Sequence, residues 1–213
     1  MDNRRIYASF LRAPTGKYWK RIGARRRAGV ATPLFSIYSK KSVGVGDLAD
    51  LILLVDWAKS VGISIIQLLP MNDVGFNFRP YDSESSFALD PMYLSLEKFI
   101  AAECRPFSEK IKGLRKQFPI GKRVDTGIKA AKLEFLWKVF ETSFTETAGF
   151  KKFVRENSFW LESYALFKTA KSRFQQKGWQ EWPEEWELSK EEKKVIQFHR
   201  WLQWELFNQL IRF

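Results

Sequence analysis

A single cysteine in 213 residues, Cys104, leaves no partner for an intrachain disulfide and no multi-cysteine metal site. A reducing, cytoplasmic setting is the simpler expectation. Histidine is as scarce, and His199 stands alone in a Trp-rich segment, so a catalytic triad or zinc cluster would rest on one residue. A structural role is expected for it. The longest apolar runs, Leu51 to Val55 and Ile65 to Leu69, fall far short of the ~20 residues of a spanning helix. No apolar stretch typical of a signal peptide follows the start, and no membrane partner is expected. The segment Ser36 to Asp47 holds Gly44 and Gly46 but neither G-x-G-x-x-G nor a Walker lysine, which argues against a phosphate loop. Internal repeats and low-complexity tracts are absent.

Acid is scarce at the start of the chain. Residues 1–27 carry 9 Lys+Arg against 1 acid, residues 28–100 carry 5 against 8, and the remainder supplies 22 against 15. The formal charge of +12 therefore sits toward the ends, away from the distinctive loops in the middle. A phosphate-binding face would combine charge with such loops, so no nucleic-acid partner is expected and residues 1–28 read as an irregular basic lead-in. A transit peptide would also be basic, but serine is scarce there.

Aromatic residues are abundant, with 9 Trp and 19 Phe, and the composition is that of a packed chain. Gly29 to Leu34 is short, small and compatible with a buried strand running to Pro33. From Asp47, the residues Leu48, Leu51, Ile52, Val55 and Ala58 follow the i, i+3, i+4 spacing of an amphipathic helix, which Gly62 stops. Ile63 to Leu69 is nearly all apolar, as in a strand covered on both faces of a parallel sheet. Strand, helix and strand make a βαβ unit. Tyr93 to Ala102 reads as a strand turning into a helix. Residues 103–192 are helical in pattern, most clearly at 128–142 and 159–176, and interrupt the βα alternation. Trp179 to Leu188 reads as an aromatic turn, and Lys193 to Phe213 as a further helix.

The segment between residues 79 and 96 carries the most chemical content. Tyr81 is flanked by Pro80, Asp82, Ser83, Ser85 and Ser86, just beyond the second predicted strand. A sugar ring has an apolar face and a rim of hydroxyls, so its site needs an aromatic platform beside hydrogen-bonding groups. The plainer alternative is an aromatic plug beneath a Ser-rich turn. Asp73, Asp82, Glu84 and Asp90 are numerous enough to suggest a carboxylate pair, whose separation the sequence does not give.

Several ordered segments resemble one family. Gly29 to Ser39, Val43 to Leu48, Arg79 to Leu96, the Tyr164-Ala-Leu-Phe167 helix, the Trp179-x-x-Trp182-Pro183 turn and Gln203-Trp204 are similar to the amino-terminal part of 4-α-glucanotransferases. These are the amylomaltases or disproportionating enzymes of glycoside hydrolase family 77. The resemblance covers about residues 20–210. It departs at Arg79, where many members have Ser, and at Leu89-Asp90, where many have Gly-Asn.

The resemblance implies an α/β fold made of the first two βα units of an incomplete (β/α)₈ TIM barrel, with a mainly helical insertion. Its parts would be a lead-in at 1–28, the first βαβ with the substrate loop at 29–102, the insertion at 103–192, and a barrel helix at 193–213. It implies an α-1,4-glucan or maltooligosaccharide as partner, with Tyr81 facing the glucosyl unit next to the scissile bond. Asp82, Ser83, Ser85 and Asp90 would contact sugar, and Ser42, Gly44, Gly46 and Asp47 would border the groove. The nucleophile, the acid/base and the stabilising carboxylate would lie beyond Phe213, with no metal or organic cofactor. A free-standing glucan-binding module, and less so a basic nucleic-acid-binding protein, are the rival readings.

Overall fold

The structure, a computed structural model, describes residues 3–100, 105–121 and 123–211. Cys104 and the end of the expected Tyr93 to Ala102 element lie outside the described residues.

The lead-in is not irregular. It forms two helices, α1 (Asn3–Arg12) and α2 (Gly16–Ile22), separated by the turn at Pro14. Phe10 of α1 stacks on Trp19 of α2 with ring centroids 4.9 Å apart. Each helix is too short to persist alone. Their mutual docking is what a single-window reading of period misses.

Strand β1 (Gly29–Thr32) pairs in parallel with β2 (Ile65–Leu68), in register from Gly29 opposite Ile65 to Thr32 opposite Leu68. Helix α3 (Leu48–Ser60) connects them. Its start is fixed by a reciprocal cap: the Asp47 carboxylate accepts from the Ala49 amide at 2.8 Å, and the Asp50 carboxylate accepts from the Asp47 amide at 2.9 Å. Its end turns at Gly62, whose φ of +79° a side chain would resist.

The strands are not buried, contrary to the pattern's implication. Residues in both alternate between exposed and half-buried, because no described third strand continues the sheet. The helix face shows the same effect. Leu48, Leu51 and Ala58 are buried, whereas Ile52 and Val55 of the expected apolar stripe are exposed.

After β2 the chain runs through a long loop and a 3₁₀ turn at Pro91–Tyr93 into the short α4 (Glu97–Ile100). Helices α5 (Arg105–Gln117), α6 (Gly127–Ser143), α7 (Ala148–Glu156), α8 (Ser158–Arg173) and α9 (Lys190–Leu210) follow. α6 and α8 match the predicted spans closely, and the aromatic turn contains a 3₁₀ stretch at Trp179–Glu181. Residues 94–96 are not a strand. Instead, Gln203 of α9 pairs with both backbone groups of Leu89, at 2.9 and 2.8 Å, and Gln209 with both of Ser95, at 2.9 and 3.0 Å. Lys132 of α6 takes the carbonyl of Met92 at 2.7 Å. Side chains thus satisfy the backbone polar groups that a sheet would otherwise pair.

One hydrophobic cluster joins the early loops to the helices, from Leu34, Val43 and Val45 through Phe135 and Phe140 to Trp201 and Leu206. Phe140 lies at its aromatic centre, 4.6 Å from Phe144, 5.5 Å from Phe198 and 5.6 Å from Trp201 between ring centroids. No described helix is long and apolar enough to cross a membrane.

The loop between β1 and α3 folds tightly over this core. A Cβ on Gly46 would lie 1.8 Å from the Ile37 carbonyl oxygen and 2.3 Å from that of Leu34. Gly46→Ala is therefore expected to destabilise the chain by about 2 to 4 kcal/mol in urea unfolding, against under ~0.5 kcal/mol for Gly121→Ala, where nothing lies within 4 Å.

Candidate functional site

The loop spanning residues 73–90 begins five residues beyond β2, and backbone bonds draw its two stems together. The Asp90 amide donates to the Met71 carbonyl at 2.9 Å, the Asp73 amide to that of Ala88 at 2.9 Å, and the Glu84 amide to that of Asp73 at 2.8 Å. At the tip, the Asp82 amide donates to the Arg79 carbonyl at 3.0 Å, closing a turn with Pro80 and Tyr81 at its corners. Asn77 reinforces it by donating to the Asp82 carboxylate at 3.1 Å and accepting from the Arg79 amide at 2.9 Å. Tyr81 is consequently 78% exposed. Ser83 is exposed as well, while the Ser85 hydroxyl accepts from the amides of Phe87 and Ala88 and shapes the return stem.

Beneath the loop lies a buried charge cluster. The Lys129 ammonium of α6 donates to Asp73 at 2.7 Å, to Asp90 at 2.8 Å and to the Gly75 carbonyl, so one cation ties both stems. From α8, Tyr164 donates to the other Asp73 oxygen at 2.7 Å, and Lys168 bridges Asp73 at 3.0 Å and Glu84 at 2.7 Å. Burial pushes the Asp73 carboxyl up, but Lys129 and Lys168 outweigh it and hold the group well below the usual carboxylate range. Burial also drives Asp90 up, with the Asp73 charge adding to it against Lys129. Burial opposes the charge on Lys168 too, yet Asp73 and Glu84 raise its pKa.

Asp90 is therefore not a free sugar ligand. Its oxygens are committed to Lys129, to the Met92 amide at 2.9 Å and to the Val74 amide. The expected groove-bordering residues also point inward. Ser42 is buried, its hydroxyl donating to Asp50 at 2.7 Å. Gly44 packs under Ile128, Gly46 is enclosed by backbone, and Asp47 is the buried cap of α3. The cavity found at this end of the sheet, about 160 Å³, is lined instead by Phe35 after β1, Pro70 and Asn72 after β2, and Phe78 and Pro80 of the loop, with Asp90 at its wall. It opens beyond the carboxyl ends of both strands, the usual place for a site in α/β folds. Phe78 sits at φ +54°, a left-handed conformation that favours glycine, and such strain concentrates at ligand-facing turns. No group of three metal-ligating side chains occurs among the described residues.

The sequence profile of the family described as 4-alpha-glucanotransferase matches residues 32–213. The chain belongs to this family. The 4-alpha-glucanotransferase of Chlamydia pneumoniae is 31% identical over 210 residues, covering 93% of this chain and 40% of its own length. That of Oryza sativa subsp. japonica is 36% identical over 205 residues, covering 87% of this chain and 22% of its own. The chain thus spans well under half the length of these relatives. Among solved structures, an amylomaltase from Corynebacterium glutamicum superposes with a TM-score of 0.74 at 23% identity, over 92% of this chain and 28% of that one. An amylomaltase from Streptococcus agalactiae in complex with acarbose gives 0.68 at 21% identity, over 88% and 40%. At these identities the two structures establish likeness of fold.

Sequence reasoning missed Lys129, Lys168 and the cleft residues Phe35 and Phe78 of this chain. A lysine on a helix usually reads as solvated, and only the local excess of apolar neighbours around Lys129 and Lys132 hinted otherwise. Tyr164 lay within a motif singled out for resemblance, without a role.

Two measurements follow. Lys129→Met leaves two buried carboxylates facing each other and is expected to cost about 3 to 5 kcal/mol, whereas Lys138→Met, at an exposed i, i+4 pair, should change stability by under ~0.5 kcal/mol. His199 has a buried Nδ1 without a partner, and burial, helped by Lys168, pulls its pKa down to about 3 from 6.5. A ring kept neutral in the folded state loses stability as pH falls from 6.5 toward 3. Asp47 acts oppositely, because burial and Asp50 push it up to about 6 against Lys132, so its protonation stabilises the fold between 6 and 3.8. Thermal melts across this window should fall less steeply for His199→Gln and more steeply for Asp47→Asn.

Proposed function

We propose that this chain is the amino-terminal portion of a 4-α-glucanotransferase that moves α-1,4-glucan segments between maltooligosaccharides. In such an enzyme the reaction is a retaining double displacement: a carboxylate attacks the anomeric carbon as a protonated partner releases the leaving glucan, and an acceptor hydroxyl, giving its proton to that partner, then attacks the same carbon and frees the carboxylate. The three catalytic carboxylates are assigned to positions beyond Phe213. The segment 29–102 supplies the first βαβ of the barrel with the substrate loop, residues 103–192 a helical subdomain, and 193–213 the barrel helix that follows the second strand.

The observation that carries this reading is the exposed Tyr81 ring, presented by a pinned turn beside a cleft at the carboxyl ends of two parallel strands. An aromatic ring carried on a pinned turn at such a place can stack on a pyranose face without reordering the backbone. Asp82 and Ser83, exposed beside it, supply hydrogen-bonding groups for sugar hydroxyls. Asp73 and Asp90 share Lys129 beneath the loop and do not serve as the carboxylate pair. They hold the loop instead.

Two experiments test the proposal. The purified 213-residue chain, incubated with maltotriose, is expected to release no glucose and no longer oligomers; clear disproportionation would place the catalytic residues within it and overturn the assignment. In a full-length enzyme carrying this segment, Tyr81→Ala should lower transfer about ten-fold, or ~1.4 kcal/mol in the barrier. Stability should change by under ~0.5 kcal/mol. Full activity of that variant would remove Tyr81 from the site.

A further inference from the structure

The basic amino-terminal hairpin takes no part in the glucan reading, yet its composition and geometry are specific. Residues 1–28 hold nine Lys and Arg against the single acid Asp2. In α1, a step of about 100° per residue puts Ile6, Tyr7, Phe10 and Leu11 on one side and Arg5, Ser9 and Arg12 on the other. In α2, Tyr18, Trp19 and Ile22 lie opposite Lys17 and Lys20. The apolar sides are not fully used by the Phe10–Trp19 stack, since Leu11 is 40%, Tyr18 59% and Ile22 54% exposed.

Between the hairpin and the start of β2 runs an open groove of about 530 Å³, lined by Phe10, Trp19, Ile22 and Ile65, with Arg25 and Arg27 beside them. Apolar walls next to guanidiniums match a molecule with an acyl chain below a phosphate. We propose that α1, α2 and Arg25 to Arg27 form a docking surface for an anionic phospholipid bilayer. Charge decides the sign of the partner: Arg5, Arg12, Lys17, Lys20, Arg21 and Arg25 to Arg27 make an excess of positive charge that calls for a dense anionic surface. The exposed aliphatic side chains decide its class. Leu11 and Ile22 gain nothing from a phosphodiester backbone, but both gain from the boundary of headgroups and acyl chains, where a basic amphipathic helix lies. No described helix is long and apolar enough to cross a membrane, and peripheral attachment does not require one. The inference stands independently of the glucan assignment.

The test is flotation of the full chain with vesicles of phosphatidylcholine alone and of phosphatidylcholine mixed with phosphatidylglycerol, at low and high salt. Recovery on the anionic vesicles is expected to exceed that on neutral ones about ten-fold and to fall at high salt. Leu11→Asp with Ile22→Asp, and separately Arg25→Glu with Arg26→Glu, should each abolish it while circular-dichroism melts match the parent. Failure to float with anionic vesicles overturns the proposal. So does retained binding by the aspartate pair together with comparable, salt-sensitive binding of homopolymeric RNA, which would make the surface a nucleic-acid site.

Discussion

The ammonium of Lys129 is the constraint around which the rest of the chain is arranged. It sits in a place where a single charge would be prohibitively desolvated, and it is tolerated there because Asp73, Asp90 and the Gly75 carbonyl surround it. Those three acceptors come from the two ends of one loop. Satisfying the lysine and closing the loop are therefore the same event. Tyr164 and Lys168 extend the cluster to a second helix, and Lys171 of that helix meets Glu84 at 3.4 Å, so three cations face three carboxylates. The helical layer and the 73–90 loop are coupled electrostatically as well as by packing.

This coupling ties α6 and α8 to the loop, while the sheet is thinly covered because no described third strand continues it. The core is built where the loop needs support, from Leu34 and Val45 to Phe140 and Trp201. Strands β1 and β2, by contrast, position the loop from one end and bury little of themselves. The buried ion pairs and side-chain hydrogen bonds concentrate under the loop that carries Tyr81.

Much of the fold was legible because it rests on local signals. The Asp47 cap, the Leu48 and Leu51 positions and the Gly62 stop specify α3 within its own stretch, and parallel pairing follows from two apolar runs joined by a helix. What the sequence hid is long-range. The hairpin α1–α2 exists through one ring stack between two short helices, and the 94–96 segment pairs its Ser95 backbone with Gln209, 114 residues away, instead of with a strand. For the candidate site, composition alone left Tyr81 beside the plainer reading of an aromatic plug, and it was the family resemblance that pointed to Tyr81 and Asp82. It did not separate exposed residues from supporting ones, because Asp90 and Ser42 look as polar as Ser83 until their partners are known.

The paired glutamines of α9 also act as a ruler. Gln203 and Gln209 stand six residues apart, which along a helix is about 9 Å, whereas six extended residues reach roughly 20 Å. The strip from Leu89 to Ser95 fits only because the 3₁₀ turn at Pro91–Tyr93 shortens it. Chain length is thereby fixed between two clamps. Substitutions that keep the turn can be absorbed in this strip, but inserting or deleting one residue would leave a glutamine amide and a backbone pair stranded in the interior. Evolutionary variation in length should therefore fall in the outer turn around Tyr81 and spare the seven residues measured by the helix.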